Sequence, residues 1–377
     1  MEKKQKDVSK SRMANLELLR CIAMMMVVAL HYLGKGELLG DLTESSMGGP
    51  GIAGWVIESF CIVAVNLYML ISGYFLTQSS FKISRLLGLW LQVWIYSAGI
   101  GIFAALTGIL PAGEADTHYF LSILFPISMD HYWFLTVYLF LYAALPVIGM
   151  GVRKMTKGQM QAALGTLLFL FCLLKSVLPF RLETDGQGYD FIWYLCVFLT
   201  AAYIRRFGIP FLEKKSRSVC LYAAGCLGIL TELFVLRQVY LRTGSLGLIL
   251  KIPTEYNHIF PFLASVGLFC LFLQLKVSGR TARAAVRIGP YTLGVYLLHE
   301  NMGIRYAWQS WLGADRISSV VSLAGYTVFA VATVFAFGIL LDAFREFLTG
   351  AVLKGIGRTA PGRVMSSQIS RLDRRFL

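Results

Sequence analysis

LELLRCIAMMMVVALHYLG, residues 16–34, is an apolar run interrupted by two side chains that decide how the chain is read, Arg20 and His31. The run matches the roughly 20 apolar residues a helix needs to cross a bilayer. The steps from Arg20 to His31 turn a helix through about 1100°, or three turns and about 20° more. Both side chains therefore share one face, about 16 Å apart along the axis. A charged arginine inside a membrane helix is costly and marks a functional site by default. Here it is aligned with the one side chain that exchanges protons near neutral pH.

The rest of the chain repeats the apolar theme. Hydrophobic residues make up 56% of the sequence and charged residues 15%, with a mean hydropathy of +0.64. That is too apolar for an ordinary soluble domain. About ten candidate spans follow one another near 16–34, 52–77, 84–110, 132–150, 159–178, 189–205, 218–237, 258–276, 288–308 and 318–341. The expected fold is all-α: a polytopic integral-membrane helical bundle, with a basic segment at 1–14, a membrane domain at 15–343 and a basic tail at 344–377 that tethers to anionic lipid.

The net charge of +14 invites a nucleic-acid reading, but its distribution points elsewhere. With the N-terminus cytoplasmic and the spans alternating, 26 Lys and Arg fall on the cytoplasmic side and 8 on the outer side. That is the positive-inside pattern, with both termini cytoplasmic and no nucleic-acid partner expected. The seven cysteines sit in apolar segments without CxxC spacing and read as small packing residues; no metal site is expected. Arg20 breaks the first apolar run and GKGELLGD follows it, so the N-terminus does not read as a cleaved signal peptide.

Polar residues inside the apolar segments are the candidates for chemistry. Glu17, three residues before Arg20, is its natural structural partner; the functional alternative is an anionic ligand. In VNLYMLISGYFL (65–76), Asn66, Tyr68 and Ser72 are polar, and Gly73 admits close approach of a backbone or ligand. FKISR then brings Lys82 and Arg85 to the cytoplasmic boundary, as topology signal or as phosphate contacts. His131, Tyr132 and Trp133 open the fourth span at the outer interface. His299 and Glu300 lie deep in the ninth, where adjacent ionisable residues are hard to explain by packing. Glu58 and Glu232 are further carboxylates, and Glu232 is expected to pair with Arg237. A transporter or flippase using Arg20, His31, Glu58, His299 and Glu300 as a substrate or ion path fits these buried charges as well as an enzyme does, and so does a ligand-binding membrane sensor.

The ordered set of motifs separates these classes. Arg20 with ten residues before His31, then NLYMLISGYFL, FKISR, YWFLTVYLFLYAALP and YTLGVYLLHE, resembles the acyltransferase-3 family of integral-membrane acyltransferases over residues 14–343. YLLHE is similar to the form in members associated with capsule or exopolysaccharide genes. The resemblance implies a ten-helix core in a bacterial plasma membrane. It also implies transfer of an acyl group, acetyl by default, from cytoplasmic acyl-CoA to a hydroxyl of a cell-surface or lipid-linked carbohydrate. The expected roles are His31 as general base or transient acyl carrier and Arg20, Lys82, Arg85, Ser72 and Asn66 around the donor. His299 and Glu300 would support catalysis, with Trp133, Tyr132 and Glu58 at the acceptor. Membrane lipid, and self-association, complete the expected partners.

Overall fold

The computed structural model describes residues 13–374 apart from 112, 181 and 184. Lys3, Lys4, Lys6, Lys10 and Arg12 of the expected basic segment therefore lie outside the described residues. Helices account for most of the described chain, with no strand among the described residues. In order they are α1 (Ala14–Lys35), α2 (Gly49–Cys61), α3 (Ala64–Leu76), α4 (Ile83–Thr107), α5 (Thr117–Leu124), α6 (Trp133–Lys154) and α7 (Lys157–Leu168). There follow α8 (Phe191–Phe207), α9 (Lys215–Thr243), α10 (Ile259–Leu273), α11 (Gly279–Ile288), α12 (Thr292–His299), α13 (Val320–Arg358) and α14 (Ala360–Arg374).

Among the described residues, eight helical segments are long and apolar enough to cross a membrane: 14–35, 49–76, 83–107, 133–154, 157–177, 215–243, 247–273 and 320–358. The chain is a polytopic helical membrane protein. The other two expected spans are shorter: α8 has 17 residues, and the ninth, expected over 288–308, holds the eight-residue α12, cut off from α11 before it. The break has a local cause. Gly289-Pro290 removes a backbone donor and leaves a 3-10 turn over Gly289–Tyr291. The segment stops again at His299, because Asn301 spends its side chain on other backbone. Its Nδ2 donates to Tyr96 O (3.1 Å) and its Oδ1 accepts from Gly303 N (3.0 Å). Met302 N donates to His131 Nε2 (2.8 Å), and Trp308 Nε1 to His299 O (3.1 Å). Irregular backbone inside a membrane bundle persists where protein groups satisfy it in this way.

α1 occupies the centre, packed against α2, α3, α11, α12 and α13. Helices α9 and α13 instead leave apolar residues such as Leu227, Val235, Phe329 and Phe337 exposed, as lipid-facing helices do. Small residues allow close crossings. A Cβ at Gly73 would lie 2.9 Å from Ala201 Cβ, so this glycine serves helix α8, not a ligand. Helix α13 is 39 residues, about 58 Å long, and runs unbroken through residue 343 before the chain turns into α14. Arg237 is not paired with Glu232: its Nη2 donates to Glu44 O (2.7 Å), while Glu232 stands 3.4 Å from His258 Nε2. All seven cysteines are free, and Cys220 alone is exposed.

Candidate active site

At the N-terminal end of α1, Arg20 Nη1 donates to both Glu17 oxygens, at 3.1 and 2.9 Å. Glu17 is buried, whereas the Arg20 side chain keeps 22% of its surface exposed. That free side borders an open cleft shared with Ser72, Arg85, Gln92 and Tyr138. Arg85, in the first turn of α4, lies over the Tyr142 ring at 5.3 Å. Lys82 stands outside the cleft wall as the N-cap of α4. The Tyr142 hydroxyl accepts from its backbone N–H (3.0 Å) and donates to its carbonyl (3.3 Å).

A second, narrow cavity surrounds His31, walled by Met24, Val27, Tyr68, Trp133, Tyr256 and Tyr296 among others. Tyr68, Phe134 and Leu293 line both spaces, so the cleft and the cavity lie on two sides of one wall. Tyr68 is fixed there by donating to Arg20 O at 2.9 Å. The two chambers follow the face of α1 on which Arg20 and His31 were expected to align.

The end of α12 brings His299 and Glu300 to His31. His31 Nδ1 lies 2.9 Å from His299 Nε2 and 3.1 Å from Glu300 Oε1. The tautomers follow from the partners. His299 Nδ1 is 2.6 Å from Val295 O, a carbonyl that only accepts, so Nδ1 carries the proton. In the neutral ring His299 Nε2 is then an acceptor, and the proton of the His31–His299 contact belongs to His31 Nδ1. His31 Nε2 is the basic nitrogen, and no hydrogen bond from a described residue engages it. Lys35 Nζ also donates to Glu300 Oε1, and its ammonium offsets the carboxylate charge.

The donor atoms of His31, His299 and Glu300 lie within 4.8 Å of one another, close enough to hold a metal ion. The fit is poor, because Lys35 already places a cation on Glu300 Oε1 and the two imidazoles share a proton. This donor set suits proton transfer.

Other expected site residues lie elsewhere. Asn66 is fully buried away from the cleft: its Nδ2 donates to Tyr256 O (2.8 Å) and its Oδ1 accepts from Trp193 Nε1 (3.0 Å). Tyr132 is also fully buried, donating to Leu297 O (2.9 Å) and accepting from Asn301 Nδ2 (3.1 Å). Trp133 lines the His31 cavity. Glu58 is not on the cavity wall, and its Oε2 is buried without a hydrogen-bond partner among the described residues. Lys35 and Tyr256 were missed in the sequence. Lys35 carried a usable signal, four residues after His31 and so its neighbour on the same helical face. Tyr256 had none, since it arrives from a loop distant in sequence.

No curated protein and no solved structure matches the chain. A family model described as an acyltransferase domain matches residues 13–342. The match takes in α1 with Arg20 and His31, both chambers and the whole His299–Glu300 turn. The chain belongs to the acyltransferase-3 family of membrane acyltransferases.

Proposed function

We propose that this membrane acyltransferase takes an acyl group, acetyl by default, from an acyl-CoA held in the Arg20–Arg85 cleft. It passes the group to a hydroxyl of a cell-surface or lipid-linked carbohydrate in the His31 cavity, across a bacterial plasma membrane. The observation that carries this reading is the shared wall. A cleft with two guanidinium groups, suited to phosphates, abuts a cavity holding an imidazole with one nitrogen committed and the other free. The CoA phosphates rest on Arg20 and Arg85, and the thioester reaches past Tyr68 and Phe134.

His31 Nε2 takes the proton of the acceptor hydroxyl as its oxygen attacks the thioester carbonyl. The tetrahedral intermediate then expels the CoA thiolate, which receives that proton from Nε2, leaving ester and CoA thiol. General base catalysis of this kind contributes about 10²–10⁴-fold. Glu300 stabilises the imidazolium that forms, and His299 holds the ring in orientation. The Trp133 and Tyr256 rings, 5.9 Å apart and 18° from parallel, offer an apolar platform for the C–H face of a sugar ring.

Transfer of labelled acetyl from acetyl-CoA to a panel of surface glycans, in liposomes bearing wild type or His31→Ala, tests the proposal. Glycan labelling and CoA release that disappear in the folded variant are expected. Equal activity in both proteins would remove His31 from the chemistry.

A further inference from the structure

Arg305 is a cation that no step above uses. On the topology expected from the charge pattern it stands on the outer side, against the positive-inside bias. Its backbone is held at both ends. The Arg305 N–H donates to Asn301 O at 2.8 Å, and the buried Gln309 Nε2 donates both to Arg305 O (2.9 Å) and to His31 O (3.3 Å). That one amide ties the Arg305 turn to the helical turn of His31. The side chain is not held in the same way. Arg305 Nε is buried with no hydrogen-bond partner among the described residues. Glu300, in the same irregular turn, spends its carboxylate on Lys35 and His31. The Arg305 guanidinium instead lies over the Tyr306 ring, 5.4 Å from its centroid, and the Lys35 ammonium stands at the same distance from that ring. Two cations thus meet at one aromatic side chain that is 68% exposed.

We infer that Arg305 binds an anionic group of the acceptor, so that the acceptor is a negatively charged glycan with a uronate carboxylate or a phosphodiester close to the acylated hydroxyl. This deepens, and rests on, the function proposed above. The physical reason is the orphaned donor. A buried guanidinium nitrogen without a partner is costly in the free protein and calls for a ligand. Carboxylate and phosphate each present two oxygens that match the planar guanidinium fork. Tyr306 orients that fork from one face, and Lys35 adds attraction from the side of His31. The anion also serves the reaction. An unpaired guanidinium near His31 opposes the imidazolium that must form, and an anion seated on Arg305 removes that opposition. A charged acceptor therefore brings its hydroxyl and part of the catalytic field together.

The test reads binding without acetyl-CoA, so its failure leaves the proposed transfer standing, and a failure of transfer leaves the charge preference standing. Affinities for full-length, detergent-solubilised protein are measured by microscale thermophoresis. The probes are trigalacturonate against its uncharged methyl ester, and a glycerol-phosphate trimer against triglycerol. Wild type is expected to bind one anionic probe about tenfold more tightly than its uncharged counterpart, and the pair that shows the difference tells carboxylate from phosphate. Arg305→Gln should bring the two affinities together, and Arg305→Lys should keep part of the difference. Arg316→Gln, which removes an exposed arginine outside the site, should keep the wild-type preference and so exclude a general charge effect. Because no hydrogen bond of its side chain is lost, Arg305→Gln without ligand should melt no lower than wild type, whereas an arginine with a structural role would lower the midpoint. No preference in wild type, a preference that survives Arg305→Gln or vanishes equally in Arg316→Gln, or an Arg305→Gln protein that melts lower or fails to fold overturns the inference. So does Arg305-dependent retention of phosphatidylglycerol in native mass spectra without a saccharide preference, which would assign the cation to lipid.

Discussion

Replacing Glu300 by glutamine keeps the shape of the site and removes its charge. In the resting protein Glu300 Oε1 accepts from Lys35 and lies 3.1 Å from His31 Nδ1. When His31 gains a proton in the transition state, that contact becomes an ion pair in a poorly solvated setting. A hydrogen bond to a charged group contributes about 1.5–3 kcal/mol. Its loss from the transition state alone slows the chemical step by about 10- to 150-fold, at 1.36 kcal/mol per decade. The same substitution leaves the Lys35 ammonium unopposed one helical turn from an imidazole that must become positive, which pushes the effect toward the upper end. The assay is CoA thiol release from acetyl-CoA under saturating donor, with and without glycan acceptor, on purified protein in proteoliposomes. Glu300→Gln should lower kcat by that factor and leave the KM for acetyl-CoA nearly unchanged, because the donor cleft lies across the Tyr68–Phe134 wall. Adding Lys35→Met should recover part of the loss by removing the unopposed cation. A single variant with wild-type kcat, or a double variant slower than the single, would refute the assignment of Glu300 as the group that stabilises the imidazolium.

Three further outcomes follow from the same geometry. Arg20→Lys keeps a cation beside buried Glu17 but loses the planar fork, so the fold should hold while CoA affinity, measured by titration calorimetry, weakens about tenfold. Asn66→Ala leaves Tyr256 O and Trp193 Nε1 unpaired in the interior. At about 1–3 kcal/mol for each stranded group, it should lower the thermal midpoint of the detergent-solubilised protein and leave CoA affinity intact. Asp373, at the end of α14, accepts from Ser84 Oγ (2.6 Å) and Ser84 N (3.1 Å) at the start of α4. The hydroxyl of Ser84 holds its carboxyl below the ordinary aspartate value of 3.8. With the folded value depressed, the contact is fully present above 3.8 and is lost as pH falls through the lowered value. A spin label on α14 should therefore stay immobile at neutral pH and loosen only in strong acid, and in Asp373→Asn it should be looser already at pH 7.

The central helix could be read almost completely from its sequence, because everything that matters in α1 is periodic. Arg20, His31 and Lys35 fall on one face by helical arithmetic, and Glu17 is within reach of Arg20 by the same rule. Long-range partners follow no such rule. His299 reaches His31 because Gly289-Pro290 and Asn301 break the ninth apolar segment at two points, and hydropathy shows that segment as one continuous span. Asn66 looked like a ligand contact because a polar residue in an apolar run has two fates, a ligand or a distant protein group. Only the arrival of Trp193 and Tyr256 decides between them. Lys175 was counted as an outer topology charge, since its carboxylate partners, Asp185 and Glu255, lie 10 and 80 residues away in loops.

A transporter built on the same buried residues would need charges free to meet a passing ion or substrate. Here several of these charges are met locally: Arg20 by Glu17, Lys35 by Glu300, and Asp342 by Arg345 at 2.8 Å, with Gln92 and Tyr96 also on Asp342, while Glu58 keeps one buried oxygen without a hydrogen-bond partner among the described residues, off the His31 cavity wall. His31 Nε2 also stays unengaged, a neutral nitrogen facing no partner among the described residues. A base held in one tautomer by His299 is well placed to accept a proton from a hydroxyl and return it to a thiolate. The two chambers need not alternate for such a reaction. The thioester end of a long donor has only to extend past the Tyr68–Phe134–Leu293 wall while its phosphates stay at Arg20, a distance the roughly 16 Å between Arg20 and His31 along α1 sets in advance.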